Sequence, residues 1–290
     1  MRWFAYNGDA DGICSMVQWG LVHGMEGTRI TGVKRDIELL KRVHPDLGDE
    51  VIVMDISLAR NHSRAKELTD QGFAITWFDH HLEGEPIELL NSHIDTSSDV
   101  CTAIIVERFL GQESEWAQVA LHGDGLSHHS TKPELKELGE LLNYNGYGAD
   151  LSDLHFHPDE LMLLCMQSKT PQEFMTTPAF TKLKEGFAND ISNANQIEKI
   201  DGYYLLPNEA WARRVVGVMA HRINEASAGP HVIAIDKGDT LQISMRGRNG
   251  IGDLCAKFNG GGRATAGGID ALPKGEIRAL MNEVNSRSFV

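Results

Sequence analysis

The chain is 290 residues long, with 41% hydrophobic and 23% charged residues, which are ordinary proportions for a soluble globular protein and too much chain for one small core. A formal net charge of −14 argues against grip on long polyanionic strands, because non-specific nucleic-acid affinity comes mainly from neutralised phosphates; a short nucleotide held at one local cationic spot stays open. No apolar run reaches membrane-spanning length, and four cysteines without CxxC spacing (Cys14, Cys101, Cys165, Cys255) argue against a thiolate zinc site or a disulfide framework.

In chain order, Arg2–Tyr6 reads as a strand and runs straight into polar Asn7-Gly8-Asp9, which is not the pattern of a secretory signal. The expected location is a reducing cytoplasm. Gly12–Gly24 follows as a helix, then strand Arg29–Lys34, strand Val51–Ile56, helix Arg60–Gln71 and strand Ala74–Phe78. Short β-rich runs separated by helical stretches predict a doubly wound α/β domain with a parallel sheet. From Asp99 to about Ala194 the pattern is helical, over Cys101–Leu110, Glu115–Leu121, Lys132–Leu142, Asp159–Met166 and Ala179–Asn195. A second, smaller α/β unit then begins with strand Tyr203–Leu206 and helix Trp211–Ala226. It continues with strands His231–Asp236 and Leu241–Met245, helix Gly252–Phe258, a glycine-rich loop, and a last helix at Gly275–Asn285. The expected division is 1–185, a connecting helix or linker over 186–202, and 203–290, with no internal repeat and no low-complexity tract.

The acidic residues fall at strand ends. Asp9 and Asp11 follow the first strand, Asp55 ends the third, and Asp79-His80-His81 follows the fourth. Ligands of open parallel sheets bind beyond the carboxyl ends of the strands, so these side chains share one rim. Clustered carboxylates cannot all stay ionised without a cation. Oxygen donors mixed with histidine suit Mn²⁺, Mg²⁺ or Fe²⁺, and several carboxylates around two positions suit a pair of ions about 3.5–4 Å apart.

The order Asp9-Ala10-Asp11-Gly12, Asp55, Asp79-His80-His81 and then His122-Gly123-Asp124-Gly125 resembles the DHH phosphoesterase superfamily. Gly260-Gly261-Gly262-Arg263-Ala264-Thr265-Ala266-Gly267-Gly268 resembles the glycine loop of its associated DHHA1 substrate-binding domain, and Arg246 the arginine placed ahead of that loop. The resemblance covers residue 5 to about 270. It implies a catalytic pair of Mn²⁺ ions, with Mg²⁺ as the alternative, held by Asp9, Asp11, Asp55, His80 and Asp124, with Asp55 bridging. Asp79, His80 and His81 would form the catalytic signature. Arg246, Gly260, Gly261, Gly262, Arg263, Gly267 and Gly268 would bind substrate across a cleft. It also implies a homodimer.

The chain departs from the family pattern twice. Ala5 stands where many members carry a histidine four residues before the first aspartate, leaving Asn7 as the candidate ligand, and Arg263 stands where most carry histidine. The expected activity is hydrolysis of cyclic or linear dinucleotides, with action on very short oligonucleotides or 3′,5′-bisphosphate nucleotides second and a non-catalytic nucleotide-binding regulator third. Long nucleic acids and membranes are not expected partners. His128-His129, His155 and His157 read as loop residues, and Trp77, Trp116 and Trp211 as core.

Overall fold

The computed structural model describes residues 1–227 and 229–286. The chain forms two compact units, Met1–Gly186 and Phe187–Val290. Among the described residues no helix is long and apolar enough to cross a membrane.

In the first unit the elements are β1 (Arg2–Tyr6), α1 (Ala10–His23), β2 (Thr28–Ile30), β3 (Glu50–Met54), α2 (Leu58–Asp70), β4 (Ala74–Asp79), β5 (Asn91–Ile94), α3 (Thr102–Leu110), α4 (Glu115–Gly123), α5 (Lys136–Gly146), α6 (Pro158–Ser168), α7 (Pro171–Phe174) and α8 (Pro178–Ala194), the last carrying the chain out of the unit. The sheet order is β2-β1-β3-β4-β5, with every pair parallel. Its strands alternate between two apolar faces. Ala5, Val51, Val53, Ile75 and Trp77 join Leu58, Ala65 and Leu68 of α2 in one buried cluster. Phe4, Tyr6, Ile52, Met54 and Phe78 are buried in turn on the other face. The α/β reading therefore holds, and the strand order reverses direction between β1 and β3, the crevice where ligands of such sheets bind.

Two expectations change in detail. The second strand ends at Ile30 rather than Lys34, because the chain leaves the sheet and Lys34 N–H donates to the Gly146 carbonyl at the end of α5 (2.8 Å). A fifth strand, β5, lies beyond the four read from the sequence; Asn-Ser-His-Ile has too little apolar alternation to announce it.

Small residues bring the helices close enough to deliver side chains to the rim. A Cβ on Gly123 of α4 would lie 2.3 Å from the Ala10 Cβ of α1, and one on Gly146 would lie 3.1 Å from the Asp9 Cα. Neither position has room for a larger side chain.

The second unit comprises β6 (Lys199–Ile200), β7 (Tyr203–Leu206), α9 (Ala210–Ala226), β8 (His231–Asp236), β9 (Thr240–Arg246), α10 (Ile251–Lys257), β10 (Gly261–Arg263), β11 (Ala266–Pro273) and α11 (Ile277–Ser286). Its sheet runs β10-β11-β9-β8-β7-β6 and is antiparallel except for β7–β8. Val232, Ala234, Ile243, Met245 and Ile269 pack with Leu254, Leu280 and Met281 of the covering helices. The bidentate pair Arg214–Asp190 (2.7 and 3.1 Å) is buried between α9 and the end of α8.

The expected glycine-rich loop is instead a hairpin, with Gly261 paired to Gly268 and Gly262 to Gly267. Glycine is a poor strand residue, and here packing is the reason for it. A Cβ on Gly267 would sit 2.6 Å from the Cys255 sulfur of α10, and one on Gly252 of α10 would meet the Gly262 carbonyl at 2.7 Å. Gly267→Val should lower unfolding stability by about 1–3 kcal/mol, the usual cost of overpacking. Urea denaturation checks this, and an unchanged midpoint would mean that α10 is not seated on the hairpin.

Candidate metal centre

Asp9 caps α1: its Oδ1 accepts from the backbone N–H groups of Asp11 and Gly12 (3.1 Å each), while Oδ2 receives the Lys34 ammonium at 2.6 Å. Asp11, one residue into α1, caps a different helix. Its two oxygens accept from Thr102 N–H (2.7 Å) and Ala103 N–H (2.8 Å) at the start of α3, where the helix dipole favours negative charge. Asp55 sits just past β3 in the left-handed region, φ 59°, a conformation that costs a non-glycine residue about 1–2 kcal/mol. It is held there by its N–H to the Phe78 carbonyl (2.9 Å) and by the Thr102 hydroxyl donating to Oδ1 (3.2 Å).

His80 lies at the centre. Its Nδ1 faces the Val100 carbonyl at 3.2 Å. A carbonyl only accepts, so the proton belongs on Nδ1 and Nε2 carries the lone pair. Around Nε2 stand Asp55 Oδ1 (3.6 Å), Asp124 Oδ2 (3.7 Å) and Asp11 Oδ2 (3.8 Å). The ligand atoms of Asp11, His80 and Asp124 lie within 4.8 Å of one another, as do those of Asp55, His80 and His81. Donors about 2.1 Å from a shared ion stand roughly 3–4 Å apart, so each of the two groups has the spacing and the oxygen-and-imidazole chemistry for a hard or borderline divalent cation, and both draw on His80.

The pKa pattern states the same need. Burial, reinforced by Asp11 and Asp9, holds the Asp55 carboxyl well above the carboxylate range. Burial and Asp11 push Asp124 up to about 6, against the lowering pull of His80 and Lys34. Asp9 goes the other way. Burial would raise it, but the Lys34 ammonium, aided by hydrogen bonds from Asp55 and the Gly12 N–H, brings it below its usual value. Burial would likewise lower Lys34, yet Asp9, Tyr147 and Asp124 carry it above the ordinary lysine range.

The remaining residues of the signature separate by role. Asp79 is fully buried; Oδ1 bonds His81 Nδ1 at 2.7 Å, and Oδ2 has no partner among the described residues. It orients His81, whose ring is partly exposed and lies 4.4 Å from that of His80. Asn7 is buried, donates to the Lys34 carbonyl (3.2 Å) and leaves its own Oδ1 without a partner among the described residues. His122 spends both ring nitrogens on Ser127 Oγ and the Lys132 carbonyl (3.0 Å each) and so supports the loop that carries Asp124. His155 bonds Tyr144 OH (2.6 Å), and His157 caps α6. Trp77 and Trp116 are core residues, whereas Trp211 is only half-buried.

Sequence reasoning passed over Lys34, Asn143 and Thr102. Only Lys34 had a signal, as the end of an expected strand at the same rim.

In the second unit the register splits the candidate residues by face. Arg246 and Arg263 both pair with Ala266, from opposite sides. Residues in one cross-strand row share a face, so the two arginines lie on one side of the sheet on strands about 10 Å apart. Gly261 and Gly268 belong to that same face, and a Cβ on Gly261 would meet nothing within 4 Å. Gly262 and Gly267 turn to the α10 side, and a Cβ on Gly260 would strike the Gly268 carbonyl at 2.2 Å.

No family model and no curated protein matches the sequence. Solved structures do match. The pGpG-specific phosphodiesterase PggH from Vibrio cholerae is 16% identical over 99% of both chains, with a TM-score of 0.63. RecJ in complex with Mn²⁺ from Thermus thermophilus is 17% identical over 98% of this chain and 51% of its own, with a TM-score of 0.55. An exonuclease RecJ bound to manganese is 15% identical over 99% of this chain and 91% of its own, with a TM-score of 0.57. The present chain spans about half the length of the T. thermophilus protein.

The raised carboxyls give a pH test. A carboxyl held at about 6 when folded, against 3.8 ordinarily, stabilises the metal-free protein below pH ~4, and that contribution is lost as pH rises through ~6. A cation that takes the ionised oxygens restores it. Mn²⁺ should therefore raise Tm more at about pH 7.5 than at about pH 5; equal shifts would contradict the site. The motif resemblance and the structural likeness converge on one architecture, and the chain is built on the fold of the DHH/DHHA1 phosphoesterases.

Proposed function

We propose that this protein is a metal-dependent phosphodiesterase that hydrolyses dinucleotides, linear ones ahead of cyclic ones. The observation that carries the reading is His80 Nε2, freed as a lone-pair donor by the Val100 carbonyl and ringed by oxygens of Asp11, Asp55 and Asp124 at the switch point of a parallel sheet. A divalent ion held there, Mn²⁺ or Mg²⁺, supplies an activated water near neutral pH and takes up charge on the phosphoryl oxygens.

The chain's own groups do the rest. Asp11 and Asp55 are locked by Thr102 and Ala103, so the oxygens do not reorganise as the reaction proceeds. His81, oriented by Asp79, offers its other ring nitrogen to the substrate. Arg246 and Arg263 share a face of the second unit's sheet, and that face suits a nucleotide, since a guanidinium binds phosphate bidentately and stacks on rings.

Small substrates are favoured by the net charge of −14 and by likeness over full length to a phosphodiesterase specific for pGpG. The likeness to a manganese-bound exonuclease RecJ favours a nucleic-acid strand as the second reading, and the net charge of −14 limits it to very short oligonucleotides. A cytoplasmic homodimer belongs to the same proposal; it rests on the motif resemblance and on four free, buried cysteines, which suit a reducing compartment.

Chromatographic product analysis with Mn²⁺ tests the substrate. The protein is offered pGpG, a cyclic dinucleotide, a longer single strand and pyrophosphate in parallel. Preferential conversion of pGpG to mononucleotides is expected, and preference for the long strand would overturn the small-substrate reading. His80→Ala should cut kcat about 100-fold or more with the circular dichroism spectrum intact; retained turnover would move the chemistry elsewhere. Arg263→Ala should raise KM for the dinucleotide more than it lowers kcat, and an unchanged KM would reassign Arg263 to structure.

A further inference from the structure

The resemblance implies two ions, yet the donor set is lopsided. Among the described residues, both groups of closely spaced ligand atoms contain His80, and neither contains Asp9. Asp9 already carries a cation of its own, Lys34 Nζ on Oδ2 at 2.6 Å, while its Oδ1 accepts from two backbone N–H groups of α1. Where further donors for an ion beside Asp9 would be sought, the chain has Ala5 and the neutral amide of Asn7.

Lys34 is no casual neighbour. Its Nζ also donates to Asn143 Oδ1 at 3.0 Å. Its backbone is pinned at both ends, N–H to the Gly146 carbonyl (2.8 Å) and C=O from the Asn7 amide (3.2 Å). Pinning a flexible side chain's backbone and giving its head two fixed acceptors places one positive charge at one spot.

We infer that the Lys34 ammonium is the resident cation of the Asp9 side of the site, so that the protein binds a single divalent ion, on the His80 side, where oxygens of Asp55, Asp124 and Asp11 stand 3.6, 3.7 and 3.8 Å from Nε2. This rests on the metal-dependent reading above. An ammonium has three donors. Two are used on Asp9 and Asn143, which leaves one N–H for a phosphoryl oxygen of the substrate, where a fixed positive charge stabilises the negative charge that develops during transfer. An ammonium does not activate water as a metal ion does, so the nucleophile belongs to the His80 side and Lys34 to the phosphoryl group.

Equilibrium dialysis against saturating MnCl₂, with elemental analysis of metal per chain and the electron paramagnetic resonance spectrum of bound Mn²⁺, tests this without reference to turnover. The wild-type protein should hold one ion per chain with the spectrum of an isolated Mn²⁺. The Lys34→Ala/Asn7→Asp variant, which removes the ammonium and restores an anionic donor, should hold two, with the exchange-coupled spectrum of a pair. Two coupled ions in the wild type would overturn the inference and leave the phosphodiesterase reading standing. No bound ion in the wild type would sink that reading and the inference with it. A folded double variant that still binds one would show that Lys34 is not what fills the second place. Should the variant fail to fold, the wild-type count decides alone.

Discussion

Four carboxylates, Asp9, Asp11, Asp55 and Asp124, cluster at the rim of the parallel sheet, the last three around the His80 imidazole, and Asp9, Asp11 and Asp55 are almost wholly withdrawn from water. Their mutual repulsion in a poorly solvating site is the constraint that the rest of the first unit answers. Two of the acids have a counterweight of their own. The start of α1 and the Lys34 ammonium hold Asp9, and the start of α3 holds Asp11. Asp55 and Asp124 have little of this kind, and burial leaves both with raised affinity for protons. The unbalanced half of the cluster is therefore the half that faces His80 Nε2, which is where a divalent cation has both the charge and the donors to settle.

The fold can be read as the means of enforcing that crowding. β1 and β3 are neighbours whose connections leave in opposite senses, so their carboxyl ends open into a crevice that receives Asp9, Asp11 and Asp55 together. Gly123 and Gly146 let α4 and α5 press against the start of α1, which brings Asp124 and Asn143 within reach. The left-handed turn at Asp55 is the local strain this arrangement carries, and such strain persists where surrounding contacts over-determine it.

Much of this could be read from the chain because period and position both carry it. The apolar runs ending in Asp55 and Asp79, and the helix opening directly after Asp9, declare strands and a helix whose ends must meet if the sheet is parallel. What could not be read depends on contacts between distant segments. Thr102 and Val100 matter only because α3 begins beneath Asp11 and His80. Lys34 matters only because its strand stops early to reach α5. The hairpin at Gly261–Gly268 was obscured for another reason: glycine normally signals a loop, and here it marks the places where α10 leaves no room for a side chain.

Everything in the first unit's rim turns on whether His80 Nε2 and the carboxylates around it hold a metal ion. Anomalous scattering at the manganese edge from Mn²⁺-soaked crystals tests it most directly. A peak bonded to His80 Nε2 and to oxygens of the carboxylates around it is expected. A well-ordered crystal with these side chains in place and no peak among them, or with manganese bound only elsewhere, would contradict it.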